Sequence, residues 1–167
     1  IIAVVDQESN FHADPQVYGL GEKAVKEVQE RLEEKFTDKL GDTIGAPIAG
    51  YFQDVLKNQP SPEDNYLSQM RRVKTERQLD ELYREIFDYM SKHYHVSALT
   101  GAAKLVGQDI GEKMNPITTL GSMQVHISYA KEHKRKSGSI ADLRTDLYSQ
   151  YGGLYYGIHR LMMYSAD

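Results

Sequence analysis

An acidic side chain and a hydroxyl stand next to each other shortly after the first apolar run of the chain. Glu8 and Ser9 follow the run 1–5, and Asp14-Pro15 then forces a turn. A carboxylic acid at the edge of an apolar core has a raised pKa, which suits it to act as a general acid near neutral pH. On the plainer interpretation, Glu8 and Ser9 end a helix and meet solvent, and these two residues alone favour it.

A second candidate is the stretch Gly121-Ser122-Met123-Gln124-Val125, which follows a polar loop and opens an apolar segment. Glycine allows the backbone to approach a ligand closely, as a turn that lines a binding site requires. The amide of Gln124 offers both donors and an acceptor, which suit sugar hydroxyls and acetamido groups. Alternatively, Met123 and Val125 are helix core and Gln124 is an ordinary surface residue.

Tyrosines form the third candidate. Residues 148–164 hold five of the chain's twelve tyrosines. A tyrosine ring stacks on the face of a sugar while its hydroxyl forms hydrogen bonds, which is common chemistry in carbohydrate grooves. Tyrosines at helical spacing are otherwise ordinary core residues of a bundle, and the sequence favours neither interpretation.

Other reactive sites find little support in the residue pattern. His93 and His95 are two positions apart, so on a helix they point to different faces and cannot share a metal ion there. There is no HExxH motif, no cysteine and no G-x-S-x-G sequence around a serine. We therefore expect neither a metal site nor a cofactor.

Composition narrows the class of protein. The chain has 167 residues, of which 40% are hydrophobic and 26% charged, so it reads as one globular domain. A net charge of -4 argues against a nucleic-acid partner, and no apolar run is long enough for a membrane span. Because position 1 is isoleucine and an apolar run begins there, we expect the chain to be a piece of a longer one.

Apolar periodicity predicts an all-α fold that would position these residues. The clearest helix places five apolar residues on one face, namely Val25, Val28, Leu32, Phe36 and Leu40, and Gly41 ends it. We expect a second helix to begin at Pro47, since proline suits the first turn, and a break in the last helix at Gly152-Gly153. The predicted helices are 22–40, 47–57, 75–91, 97–106, 120–133 and 140–164.

Taken in order, the three candidate stretches resemble the signature of the lytic transglycosylases, relatives of goose-type lysozyme. That signature is an apolar helix ending in Glu-Ser, a Gly-Leu-Met-Gln turn, and a helix with a Gly-x-x-Tyr motif. The corresponding segments here are Gln7-Glu8-Ser9, Gly121-Ser122-Met123-Gln124 and Gly152-Gly153-Leu154-Tyr155-Tyr156. The flanking sequence also resembles a little-characterised group of bacterial envelope lipoproteins thought to carry such a domain.

The resemblance implies a lysozyme-like domain that cleaves peptidoglycan between N-acetylmuramic acid and N-acetylglucosamine. A single glutamate protonates the leaving oxygen and then acts as base on the muramyl 6-hydroxyl, which closes a 1,6-anhydro ring. This departs from the two-carboxylate scheme of most glycosidases. Glu8 matches the catalytic position, and both tyrosines fit the one tyrosine position. The implied substrate-binding residues are Ser9, Gly121, Met123, Gln124, Tyr155 and Tyr156.

Two departures from the family pattern shape the predicted organisation. Glu8 and Gln124 are 116 positions apart, far more than in the family, so residues 16–114 are predicted to be a helical insertion into a core formed by 1–15 and 115–167. The family's Ala-Tyr-Asn segment is expected beyond residue 167.

These expectations lead to two hypotheses of different classes. The first is a peptidoglycan lytic transglycosylase, or a muramidase-like hydrolase, in the periplasm of a bacterial envelope, with a lipid anchor on the full-length protein. The alternative is a catalytically inactive helical domain that binds peptidoglycan, or an envelope protein through the insertion.

Overall fold

The fold of the described residues is all-α, as the periodicity predicts. The computed structural model describes residues 12–93 and 111–164, apart from residue 113. The predicted helix 97–106 and the Glu8-Ser9 pair therefore lie outside the described residues. Within them, seven helices accompany one two-stranded hairpin. The helices are α1 Leu20–Leu40, α2 Asp42–Asn58, α3 Tyr66–Arg72, α4 Glu76–His93, α5 Ile127–Glu132, α6 Ile140–Tyr148 and α7 Gln150–Tyr164.

The chain divides into two compact units. Of the described residues, 12–17, 75–77 and 117–164 form unit 1, and 18–74, 78–93, 111–112 and 114–116 form unit 2. The first two residues of α4 thus belong to unit 1 and the remainder of that helix to unit 2. The predicted insertion 16–114 and the lysozyme-like character of the core stay predictions.

Unit 2 has an apolar core built from helices α1 to α4. The predicted stripe of α1 is buried except at its last residue, Leu40, which is half-buried, and Phe36 is fully shielded from solvent. The ring of Phe52 in α2 lies 5.7 Å from that of Phe36 and 5.3 Å from that of Phe87 in α4. Such tilted aromatic contacts add to the free energy gained by burying the rings.

The second helix begins earlier than predicted. Gly41 ends α1 with φ of 81°, as expected, and its carbonyl already accepts the backbone N–H of Gly45. Helix α2 therefore starts at Asp42, and Pro47 lies inside it rather than in its first turn. Proline inside a helix removes one backbone hydrogen bond, and the buried face of α2 stabilises the helix in spite of that loss.

Unit 1 contains the hairpin, and here the predicted helix 120–133 is wrong. Strand β1 (Thr119–Leu120) pairs with β2 (Val125–His126) in antiparallel register, with Leu120 opposite Val125. Gly121 and Gln124 between the strands have φ of 77° and 48°, which a right-handed helix cannot contain. Helix α5 begins only at Ile127.

The break in the last predicted helix lies at Ser149, not at Gly152-Gly153. Ser149 has an extended backbone that ends α6, and its hydroxyl accepts the backbone N–H of Gly152 in the first turn of α7. Both glycines are inside α7. Among the helices of the described residues, none combines the length and apolar character needed to cross a membrane.

We expect Phe52→Ala to lower the free energy of unfolding by about 3–5 kcal/mol, since it leaves a cavity between Phe36 and Phe87. Chemical denaturation followed by circular dichroism measures the change. Lys57→Ala, on the exposed side of the same helix, is the matched control and should stay near the wild-type value. A loss below 1 kcal/mol in Phe52→Ala would contradict the aromatic core.

Candidate functional site

The second candidate stretch forms a tight turn between the two strands. Gly121, Ser122, Met123 and Gln124 connect β1 to β2, and the backbone N–H of Gln124 donates to the carbonyl of Gly121 across 3.1 Å. Gln124 is a non-glycine residue in the left-handed region, which costs about 1–2 kcal/mol. Strain of this kind often occurs at functional sites.

This turn packs directly against α7, so the second and third motifs of the sequence are in contact. A Cβ atom at Gly157 would lie 2.4 Å from both Cβ and Cγ of Met123. A Cβ at Gly153 would lie 3.2 Å from the hydroxyl of Ser122. Gly153 and Gly157 therefore make room for the turn, whereas a Cβ at Gly152 would lie 2.0 Å from the carbonyl oxygen of Asp146 in α6. The Gly-Gly-x-x-x-Gly spacing is thus a packing feature of the helix.

Gly121 makes the corresponding contact on the turn itself. A Cβ there would lie 2.2 Å from the carbonyl oxygen of Leu147 in α6, and the positive φ also favours glycine. Gly121, Ser122 and Met123 are all buried, whereas Gln124 is half-buried. Of the residues in this turn, Gln124 has the side chain that solvent reaches most readily.

The amide of Gln124 is held by hydrogen bonds on both sides. Its oxygen accepts the hydroxyl of Thr119 at 3.0 Å. Its nitrogen donates to a carboxylate oxygen of Glu76 at 2.9 Å and to the carbonyl of Gly121 at 3.2 Å. The amide therefore has a fixed orientation, with both N–H groups engaged and one lone pair of the oxygen left to accept a further donor.

Glu76 reaches this site although it is 48 positions away in sequence. It lies in the first turn of α4, where the helix dipole favours a carboxylate. The preceding residue, Thr75, is buried and donates its hydroxyl to Asp14 at 3.0 Å. Thr75 also forms an antiparallel bridge with Gln16. Sequence reasoning missed Glu76 because no local pattern relates it to Gln124.

The two tyrosines that fit the third motif have different environments. Tyr155 is 39% exposed, whereas Tyr156 is 1% exposed and its hydroxyl accepts the backbone N–H of Arg135 at 2.9 Å. Tyr155 can therefore offer its ring to a ligand, while Tyr156 supports the loop that follows α5. The expectation that both residues bind substrate stays a prediction.

Arg135 organises the surface beside these tyrosines. Its side chain donates to both carboxylate oxygens of Asp146, at 2.8 and 2.5 Å, and Asp146 raises the pKa of the guanidinium. The guanidinium carbon lies 5.0 Å from the ring centre of Tyr151 and 5.8 Å from that of Tyr155. Arg135, Tyr151 and Tyr156 also line an open cavity of about 510 Å³ beside the loop 134–139.

A histidine on α7 joins the aromatic cluster. The hydroxyl of Tyr129 lies 2.7 Å from Nδ1 of His159, and burial raises the pKa of that hydroxyl. The ring of Tyr155 lies 6.1 Å from that of His159 in a nearly parallel arrangement. The spacing 151, 155 and 159 along one helix face could have revealed this row, since residues four apart are neighbours on a helix.

A buried arginine supports the approach to the hairpin. Arg144 in α6 is 1% exposed and donates to the carbonyl of Ile117 at 2.8 Å, two residues before β1. A buried guanidinium needs such partners because desolvation is otherwise costly. Sequence reasoning missed Arg144, since nothing in its neighbours distinguishes it from a surface arginine.

Of the predicted site residues, Gly121, Met123 and Gln124 lie together in the turn between the two strands. This turn packs against α7, the helix that carries Tyr155 and Tyr156. Glu8 and Ser9 lie outside the described residues. Within residues 12–93 and 111–164, apart from 113, no cluster of three or more histidine, aspartate or glutamate side chains could hold a metal ion.

Comparison with known proteins assigns the family. A family model described as "Protein of unknown function (DUF1615)" matches residues 1–167. The chain belongs to this family. A relative from Escherichia coli (strain K12), named "Uncharacterized protein YaiW", is 28% identical over 169 residues, which cover 100% of this chain and 40% of that protein. The chain thus spans less than half of this relative's length. No solved structure matches significantly.

We expect Gly157→Ala to lower the free energy of unfolding by about 1–3 kcal/mol, because the added methyl group overlaps Met123. Gly50→Ala is the control. It adds the same methyl group to a helix position with nothing within 4 Å, and should stabilise by about 0.5–1 kcal/mol. Denaturant unfolding of both variants measures the difference. Equal effects of the same sign would contradict the close packing of the turn on α7.

Tyr156→Phe should lower the free energy of unfolding by about 1–2 kcal/mol, since it removes the acceptor of the Arg135 N–H. Tyr155→Phe should leave stability unchanged, because its hydroxyl has no hydrogen-bond partner among the residues that the structure describes. Thermal denaturation of the two variants measures both values. If Tyr155→Phe destabilises more than Tyr156→Phe, the division of roles between the two tyrosines is wrong.

Proposed function

We propose that the chain is a lysozyme-like domain that cleaves the glycan strands of peptidoglycan as a lytic transglycosylase. The observation that carries this proposal is the contact of the Gly121–Gln124 turn with the glycine face of α7. Two motifs that the resemblance requires in one groove are in contact, although nothing in their sequence spacing demands it.

Accessible groups of the second and third motifs fit a carbohydrate ligand. The oxygen of Gln124 can accept a hydrogen bond, and the ring of Tyr155 is accessible for stacking. Sugar rings present hydroxyl and N-acetyl donors together with apolar faces, which match these two kinds of group.

Glu8 would provide the chemistry. As a general acid it donates its proton to the glycosidic oxygen, and the bond between that oxygen and the anomeric carbon breaks. The carboxylate then takes the proton of the muramyl 6-hydroxyl while the oxygen of that hydroxyl bonds to the anomeric carbon. The acid is thereby restored, and the product carries a 1,6-anhydro ring. A water molecule in place of the 6-hydroxyl would give the muramidase-type product.

The alternative is a domain that binds peptidoglycan or an envelope protein without cleaving it. The size of unit 2 favours it, since this unit holds most of the described helices and its own aromatic core. An enlarged helical unit is what a protein partner would bind. Both proposals share a location in the bacterial cell envelope, in the periplasm, with a lipid anchor on the full-length protein.

Replacing Glu8 by glutamine should reduce peptidoglycan cleavage by about a hundred-fold or more, because the amide cannot donate the proton. The measurement is digestion of purified peptidoglycan by the full chain, with products identified by mass spectrometry. Anhydromuramyl products from the wild-type chain alone support the transglycosylase, and reducing ends support the hydrolase.

Glu132→Gln is the matched control, since Glu132 is an exposed glutamate of α5. It should cleave peptidoglycan as the wild type does. If Glu8→Gln retains full activity, Glu8 is not the acid. If the wild type yields no product yet co-sediments with peptidoglycan, the binding domain becomes the better description.

A further inference from the structure

Glu76 belongs to none of the three motifs, yet its carboxylate contacts the amide of the half-buried Gln124 in the second motif. Its Oε2 accepts from Nε2 of Gln124 at 2.9 Å, and both residues belong to unit 1. We propose that Glu76 is a positioning residue that turns the oxygen of the Gln124 amide toward the ligand. Gln124 would then select a ligand group that donates a hydrogen bond, such as a sugar hydroxyl or an acetamido N–H. The ligand class rests on the proposed function.

The orientation of an amide depends on what surrounds its two ends. The hydroxyl of Thr119, which contacts Oε1, can either donate or accept and so fits both orientations. The carboxylate of Glu76 can only accept when it is ionised, so it requires the nitrogen on its side. The Gly121 carbonyl favours the same orientation across a longer distance of 3.2 Å.

Glu76 is itself held in place, as a positioning residue must be. Thr75 is buried, donates to Asp14 and forms a bridge with Gln16, which fixes the backbone next to Glu76. The hydroxyl of Tyr148 in α6 lies 3.5 Å from the carbonyl oxygen of Glu76. An ionised acceptor also forms stronger hydrogen bonds than a neutral one. The carboxylate is therefore a better anchor for the amide than the Gly121 carbonyl.

The resulting site offers acceptors and no amide donor. Both N–H groups of Gln124 are engaged within the protein, so a ligand meets the remaining lone pair of Oε1. A ligand group that can only accept would find no partner there, and its desolvation would weaken binding. Glu76 thus acts on specificity through Gln124 and takes no part in bond cleavage.

The contact can be tested without any assumption about activity. Glu76→Met keeps the length and helix propensity of the side chain but removes the strong acceptor, whereas Glu76→Gln retains one. Nuclear magnetic resonance of the full chain records the side-chain NH₂ signals of Gln124, which are assigned by their loss in Gln124→Glu. We expect these signals to shift strongly in Glu76→Met, weakly in Glu76→Gln and not at all in Glu132→Met.

Unchanged Gln124 signals in Glu76→Met would overturn the proposal, because the carboxylate would then not hold the amide. Should Glu76→Met fail to fold, Glu76→Ser shortens the side chain out of reach of Nε2 and provides the same comparison.

The consequence for binding is measured with solubilised glycan strands of peptidoglycan. Glu76→Met should raise KM by about ten-fold with kcat unchanged, and Glu76→Gln should stay within about two-fold of wild type. In a Gln124→Leu background, Glu76→Met should add nothing further, since the two residues act through one hydrogen bond.

If Glu76→Met raises KM in the Gln124→Leu background as much as it does in the wild-type chain, Glu76 does not act through Gln124. A fall in kcat for Glu76→Gln as deep as that for Glu8→Gln would make Glu76 a reacting acid and overturn the positioning role. If the wild-type chain does not cleave the strands at all, the proposed function fails, and the Gln124 signals alone decide whether Glu76 positions the amide.

Discussion

The candidate site depends on the close packing of the 121–124 turn against α6 and α7. Where the turn and these helices touch, there is no room for a Cβ atom, so glycine is needed. Gly121 lies against the carbonyl of Leu147, and Gly157 lies against Met123. These contacts bury Met123 and leave Gln124 half-buried at the end of the turn. The left-handed backbone of Gln124 follows from the same tight connection between the strands, and hydrogen bonds of its amide offset that strain.

Local sequence patterns predicted the elements whose apolar residues recur at helical spacing. Val25, Val28, Leu32 and Phe36 indicated α1, and Gly41 ends it because a positive φ cannot continue a helix. The same rules misplaced the start of α2. Proline favours a first turn, but α2 begins at Asp42, five residues before Pro47, and the carbonyl of Gly41 already accepts the backbone N–H of Gly45. Preference for a position is a weaker effect than the burial of a whole helix face.

The hairpin and the glycines of α7 could not be predicted for a different reason. A short apolar segment such as Val125 to Ile127 is compatible with helix or strand, and only the pairing of Leu120 with Val125 decides between them. Two adjacent glycines normally weaken a helix, so Gly152-Gly153 suggested a break. The role of these glycines depends on which residues pack against α7, and local sequence patterns do not show which residues those are.

Glu76 extends this reasoning to function. The segment that carries it, residues 75–77, belongs to unit 1 although the chain on both sides of it belongs to unit 2. If the long insertion were only an appended helical unit, no carboxylate from within it would need to contact the Gly121–Gln124 turn. Because one does, the predicted insertion would provide part of the proposed site, and the spacing between Glu8 and Gln124 would then not count against the resemblance to lytic transglycosylases. The inserted segment would then tune which ligand groups Gln124 accepts, a property that a domain without it must obtain from other residues.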